Sequence, residues 1–137
     1  MTVNKMYQGS CLCGGIRYEI HGEIGEIIQC HCQRCRKSNG TAFATNAPVK
    51  KTEFKFVQGE HLLKFFSSSE GVERGFCMQC GSPIIANKSS APEYYRLRLG
   101  TLDTPVEHKP RYHVFTSHKA EWDQICDDLK QFPEWPE

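Results

Sequence analysis

Residues 10–15 read Ser-Cys-Leu-Cys-Gly-Gly, and the way this stretch is completed decides how the rest of the chain folds. In extended backbone alternate side chains point the same way, so Cys11 and Cys13 present two sulfurs to one side and aim Leu12 at the core. Gly14-Gly15 then lets the backbone turn close to whatever the sulfurs hold. Two thiolates are half of the tetrahedral set that zinc prefers, so a second pair has to arrive from elsewhere. Residues 77–81, Cys-Met-Gln-Cys-Gly, supply one as a C-x-x-C turn with a glycine to relieve it. Between the pairs lies a third group, Cys30-His31-Cys32-Gln33-Arg34-Cys35.

Seven of the eight cysteines therefore fall into three tight groups. Joining the outer pairs gives a four-thiolate structural site, Cys11, Cys13, Cys77 and Cys80, which pins the N-terminal segment to the middle of the chain. The central group, Cys30, Cys32 and Cys35, keeps three ligands and an open position, the pattern of catalytic zinc. The expectation is two Zn²⁺ per chain. His31 is the nearest candidate to close the second site, but an extended Cys30–Cys32 segment turns it away from both sulfurs. Cys35 falls in or just before a short helix, where unpaired N–H groups favour a thiolate. Arg34, Arg36 and Lys37 add positive charge suited to an anionic substrate. Cys126 belongs to no group and reads as a core thiol.

The remaining pattern is β-rich. Strands are expected over residues 16–20, 26–30, 41–45, 53–57, 62–66, 72–76, 83–86, 94–99 and 111–115, several of them alternating apolar and polar residues. Turn signals separate them, among them Ser38-Asn39-Gly40, Gln58-Gly59-Glu60 and Gly81-Ser82-Pro83. Residues 33–37 suit a turn or two of helix that Asn39-Gly40 stops. A second helix is expected where Trp122, Ile125, Cys126 and Leu129 recur at helical spacing behind Ser117 as a cap. Residues 131–137, with two prolines, should run extended over the surface.

The length of 137 residues suits a single domain, 1–137, with a motif-bearing core over about 9–115 and a tail over 116–137. A net charge of +1, from 17 basic and 16 acidic residues, argues against nucleic acid or an anionic membrane as partner. The first residues contain no apolar h-region, so the expected location is cytoplasmic, or nuclear in a eukaryote. Reducing thiol pools and the clustering of the cysteines then favour metal over disulfides. His61, His108, His113 and His118 lie far from the motifs and read as structural or exposed.

Three segments carry a resemblance: Gly9-Ser10-Cys11-Leu12-Cys13-Gly14-Gly15-Ile16-Arg17-Tyr18, Cys30-His31-Cys32-Gln33-Arg34-Cys35-Arg36-Lys37 and Phe76-Cys77-Met78-Gln79-Cys80-Gly81-Ser82-Pro83. Together they are similar to the signature of the glutathione-dependent formaldehyde-activating (GFA) family, which includes centromere protein V. The resemblance runs to about Tyr112-His113-Val114-Phe115 and implies an all-β "tent" of packed antiparallel sheets. It also implies structural zinc on Cys11, Cys13, Cys77 and Cys80 and catalytic zinc on Cys30, Cys32 and Cys35. The activity it implies is that of a zinc-dependent carbon–sulfur lyase or thiol-adduct enzyme. Its substrate would be glutathione or a glutathione conjugate, as in the formation of S-hydroxymethylglutathione. The alternative is a non-catalytic, zinc-stabilised protein-binding module, in which a protein ligand closes the second site. No general acid or base and no oligomeric state can be read from these residues.

Overall fold

A computed structural model describes residues 5–136; the first four residues of the start read for a signal sequence, and the last residue of the expected extended tail, lie outside it. The described residues are mostly β, arranged as two sheets with one short α-helix and a few 3-10 turns. Strands β1 (Met6–Ser10), β2 (Arg17–His21) and β5 (Phe54–Gln58) form an antiparallel sheet in the order β1-β2-β5. The larger sheet comprises β3 (Ile28–Cys30), β4 (Ala44–Lys50), β6 (Leu63–Ser69), β7 (Val72–Cys77), β8 (Pro83–Lys88), β9 (Tyr94–Arg98), β10 (Tyr112–Val114) and β11 (Lys130–Gln131). Its order is β11-β10-β3-β4-β9-β8-β7-β6. All of its pairings are antiparallel except β3–β10 and β10–β11, which are parallel. The sheet is thus mixed at the end where the chain terminus is laid on.

Period-two alternation explains how the larger sheet is used. Ala47 and Val49 on β4, Ile85 on β8 and Leu97 on β9 face the small sheet, where they pack with Tyr7, Ile16, Tyr18 and Ile20 into one buried cluster. Tyr18 stacks on Phe54, ring centroids 4.9 Å apart, and its hydroxyl shares a 2.6 Å hydrogen bond with Thr101 Oγ1. Gly9, opposite Tyr18 in the β1–β2 register, leaves the room for that ring. A second, smaller cluster of Ile28, Cys30, Cys35, Ala44 and Val114 lies against the helix α1 (Gln33–Asn39). The helix ends where Gly40 takes the left-handed conformation, φ 68°.

Each of the nine expected strand regions contains a strand, with shifted ends, while β1 and β11 were not anticipated. The helix expected around residues 122–129 is absent. Asp127 Oδ1 accepts from the Leu129 N–H at 3.0 Å, a local bond that competes with helical hydrogen bonding. Ser117 caps no helix there; its hydroxyl reaches Pro133 O and Glu134 Oε2 instead. Without a helix the apolar stripe has nothing to face: Trp122 is 70% exposed, and Cys126 is exposed rather than a core thiol. Among the described residues no helix is long and apolar enough to cross a membrane.

Candidate metal centres and the cleft beside them

The outer cysteine pairs sit on different sheets. Cys11 follows β1 directly, and Cys77 is the last residue of β7. Both pairs are built as tight turns. The Gly14 N–H donates to Cys11 O at 3.0 Å and the Gly81 N–H to Cys77 O at 2.7 Å. Both glycines have φ near +80°, at 75° and 81°. Residues 11–14 are therefore not extended, and Leu12 is thrown outward, 85% exposed, instead of entering the core. Ser82 ties the turns together: its Oγ accepts from the Leu12 N–H at 2.9 Å and lies 3.3 Å from Cys80 Sγ. That contact with Ser82 pulls the Cys80 thiol down to about 5.

The four sulfurs of Cys11, Cys13, Cys77 and Cys80 lie within 4.8 Å of one another, with Cys11–Cys13 at 3.5 Å and Cys13–Cys77 at 3.8 Å. All eight cysteines are free. A tetrahedron with metal–sulfur bonds of about 2.3 Å has edges of about 3.8 Å, so this donor set fits a single tetrahedral ion.

The central group assembles locally. Cys30 closes β3, Cys32 caps α1 with its sulfur accepting from the Cys35 N–H at 3.4 Å, and Cys35 is buried in the first turn. The three sulfurs also lie within 4.8 Å of one another, and among the described residues no histidine, carboxylate or further cysteine joins them. Contacts with the Cys30 and Cys32 sulfurs hold the Cys35 thiol well below its ordinary range, helped by Arg98 and Arg74, while Cys30 is pushed up by the same sulfur contacts.

His31 points away from the sulfurs. It is fully buried, and its Nε2 lies 2.9 Å from His113 Nδ1, while His113 Nε2 meets the Asp127 carboxylate at 3.0 and 3.1 Å. Burial, followed by the His113 charge, lowers the His31 pKa. His113, structural in the sequence reading, holds the cysteine-bearing segment against β10.

The cleft at the three sulfurs, about 200 Å³, is lined by cations that sequence reading did not assemble. Arg74 on β7, Lys88 on β8, and Arg96 and Arg98 on β9 stand on the face of the large sheet opposite the core. Arg74 Nη1 and Nη2 lie 3.8 and 3.9 Å from Cys35 Sγ. Arg98 is only 5% exposed, and burial lowers its pKa to about 10, with the Cys35 thiolate acting in the opposite sense. Of the three basic residues flagged near Cys35, Arg34 lines the cleft, whereas Arg36 and Lys37 do not. The Arg96-Leu97-Arg98 alternation was the available signal, but in one strand it reads only as a wet face.

Fold and clusters together define an all-β protein built around two thiol groups, each able to hold a metal ion. Residues 6–118 match the glutathione-dependent formaldehyde-activating enzyme family, and the chain belongs to that family. Among solved structures it resembles the crystal structure of a Rhodobacter sphaeroides protein, with a TM-score of 0.61 and 23% identity. The match covers 72% of this chain and 90% of that one, and it is a likeness of fold. No curated protein matches the chain in sequence.

Proposed function

We propose that the protein is a zinc-dependent carbon–sulfur lyase or related thiol-adduct enzyme acting on glutathione or a glutathione conjugate. The observation that carries this reading is the three-sulfur group of Cys30, Cys32 and Cys35, which has no fourth donor among the described residues and opens into a cationic cleft. In this reading Cys11, Cys13, Cys77 and Cys80 hold a structural zinc, and the central three hold the reactive one. Zinc on three thiolates, when bound, is a soft centre suited to taking a substrate sulfur as thiolate in its remaining position.

The chain's own residues define the rest of the site. Arg74 and Arg98 place positive charge beside Cys35 and favour an anionic sulfur entering there. His31 and His113 fix the Cys30–Cys32 segment from behind. The cleft is smaller than the roughly 300 Å³ at which pockets begin to engulf a whole ligand, so it suits the reacting end of a peptide thiol. The family's named chemistry fits this arrangement. The thiol sulfur bonds to the formaldehyde carbon, the carbonyl π bond opens, and the thiol proton ends on oxygen. The reverse breaks the same carbon–sulfur bond.

Metal content per chain, measured before and after glutathione is added and the sample desalted, tests the proposal alongside the rate of adduct formation. Two zincs, one of them responsive to thiol, with an accelerated adduct reaction is the expected result. Zinc-loaded protein that neither binds glutathione nor changes the rate of any thiol-adduct reaction overturns it and returns the binding-module reading.

A further inference from the structure

The chain's last segment forms one wall of the cysteine cleft. Phe115 adopts φ 57°, a left-handed conformation that is uncommon for a bulky side chain. The turn it makes lets the following residues grip the tail. The Thr116 N–H donates to Phe132 O at 3.1 Å, the Phe132 N–H to His113 O at 2.9 Å, and Ser117 Oγ to Pro133 O at 2.6 Å. The segment so anchored carries Trp135, whose ring meets Phe115 edge-on with centroids 5.4 Å apart; both line the cleft. Lys88 Nζ lies 4.8 Å from the Trp135 ring centre and Arg96 Cζ 5.4 Å from it.

Charge makes this wall informative. Among the described residues no carboxylate lies within ion-pair distance of Arg74, Lys88, Arg96 or Arg98. Three thiolates around a divalent ion leave one net negative charge, too little to balance four cations. Partly buried cations left without counter-charge are costly, and a bound anion offsets that cost. A cation resting on an aromatic face uses the ring's π cloud and keeps N–H donors free for a second partner. Arg96 can therefore offer its fork, and Lys88 its ammonium, to a carboxylate while Trp135 holds both in place.

We propose that Trp135 is a specificity-determining residue, positioning Lys88 and Arg96 as a receptor for a carboxylate of an acidic thiol whose sulfur lies at Cys30, Cys32 and Cys35. The proposal rests on the thiol reading above. Residue 135 falls beyond the 6–118 segment that matches the family, whereas Lys88 and Arg96 fall inside it.

The test compares the affinity of zinc-loaded protein for glutathione and for glutathione diethyl ester, which keeps the thiol and blocks both carboxylates. Wild-type protein should bind the acid about tenfold or more tightly than the ester, the worth of one charge-assisted contact. Lys88→Gln with Arg96→Gln should bring the ratio close to one. Trp135→Ala should lower it severalfold, and Trp135→Phe should retain most of it, all with unchanged zinc content. An unchanged ratio in the double variant overturns the receptor, and an unchanged ratio in Trp135→Ala overturns the role of the tryptophan. Equal binding of acid and ester by wild type overturns the subsite alone, whereas failure of both thiols to bind overturns the thiol reading with it. The double variant alters only cleft-facing side-chain ends, so it keeps the test open if Trp135→Ala fails to fold.

Discussion

His31 Nε2 lies 2.9 Å from His113 Nδ1, so a residue flanked by two cluster cysteines is tied to a strand 82 positions away. The chain continues to Asp127, an acceptor-only carboxylate, which requires a proton on His113 Nε2. In the neutral-ring arrangement that satisfies every contact, His113 Nδ1 then accepts from His31 Nε2–H. The remaining His31 Nδ1 is a bare, buried nitrogen with no partner among the described residues.

Ring-nitrogen NMR checks this directly. Both histidines should show the Nε2–H tautomer, and an Nδ1–H form of His31 refutes the proton arrangement. His113→Ala should cost about 1–3 kcal/mol, because it leaves the His31 donor buried and unsatisfied; thermal melts read that loss.

Burial tends to raise the Asp127 pKa, but the hydrogen bonds from His113 and from the Leu129 backbone outweigh it and the net shift is downward. A lowered folded-state value means the contact stabilises above the ordinary carboxylate range and is lost as pH falls through the lowered value. Asp127→Asn should therefore flatten the acid limb of the stability–pH curve while leaving the neutral-pH tautomer of His31 largely unchanged. An acid limb of the same slope in both proteins refutes the linkage.

Gly9 and Tyr18 make a second exacting pair. A Cβ on residue 9 would fall 2.1 Å from the Tyr18 ring. Gly9→Ala should destabilise the protein by about 1–3 kcal/mol, the usual cost of overpacking, read as a lower midpoint in denaturant at unchanged m-value.

The two thiol groups should differ when broken. Cys77 is fully buried where the two sheets meet, and structural zinc supplies about 10–16 kcal/mol of apparent binding energy, as much as a typical domain's whole stability. Cys77→Ala and Cys11→Ser should lose folded protein. Cys35→Ser should stay folded with a weakened second metal, and mild chelation of wild type should remove one ion first. Melts and metal analysis showing the reverse order would reassign the ligands.

Arg98 is a buried cation with no carboxylate beside it among the described residues. Arg98→Met should be neutral or stabilising in a melt while weakening glutathione binding about tenfold or more, because it removes a desolvated charge together with its attraction for an anion. A variant that is both less stable and unimpaired in binding refutes the assignment.

The strands were legible because alternation in stretches such as Phe54-Lys55-Phe56 survives folding, and the helix at residues 33–39 because Asn39-Gly40 stops it. Strand β1 hid because Met6-Tyr7-Gln8-Gly9-Ser10 carries little apolar signal, and its glycine serves Tyr18 rather than a turn. The cysteine groups were legible from spacing; the direction of Leu12 was not, since one turn-forming hydrogen bond decides it. The cationic cleft stayed hidden for a topological reason. Arg74, Lys88, Arg96 and Arg98 share a face only once β7, β8 and β9 pair in register.

The separation of Cys13 from Cys77, 64 positions, also sets a clock on the ribosome. At roughly 5–20 residues per second the first pair of sulfurs waits roughly 3–13 s for the second to be synthesised. Cys30, Cys32 and Cys35 emerge in that interval and can gather around an ion at once, being neighbours in the nascent chain. The local trio can therefore be loaded while the long-range quartet is still half made, and Cys11 and Cys13 are the thiols left open to oxidation or to the wrong metal during synthesis.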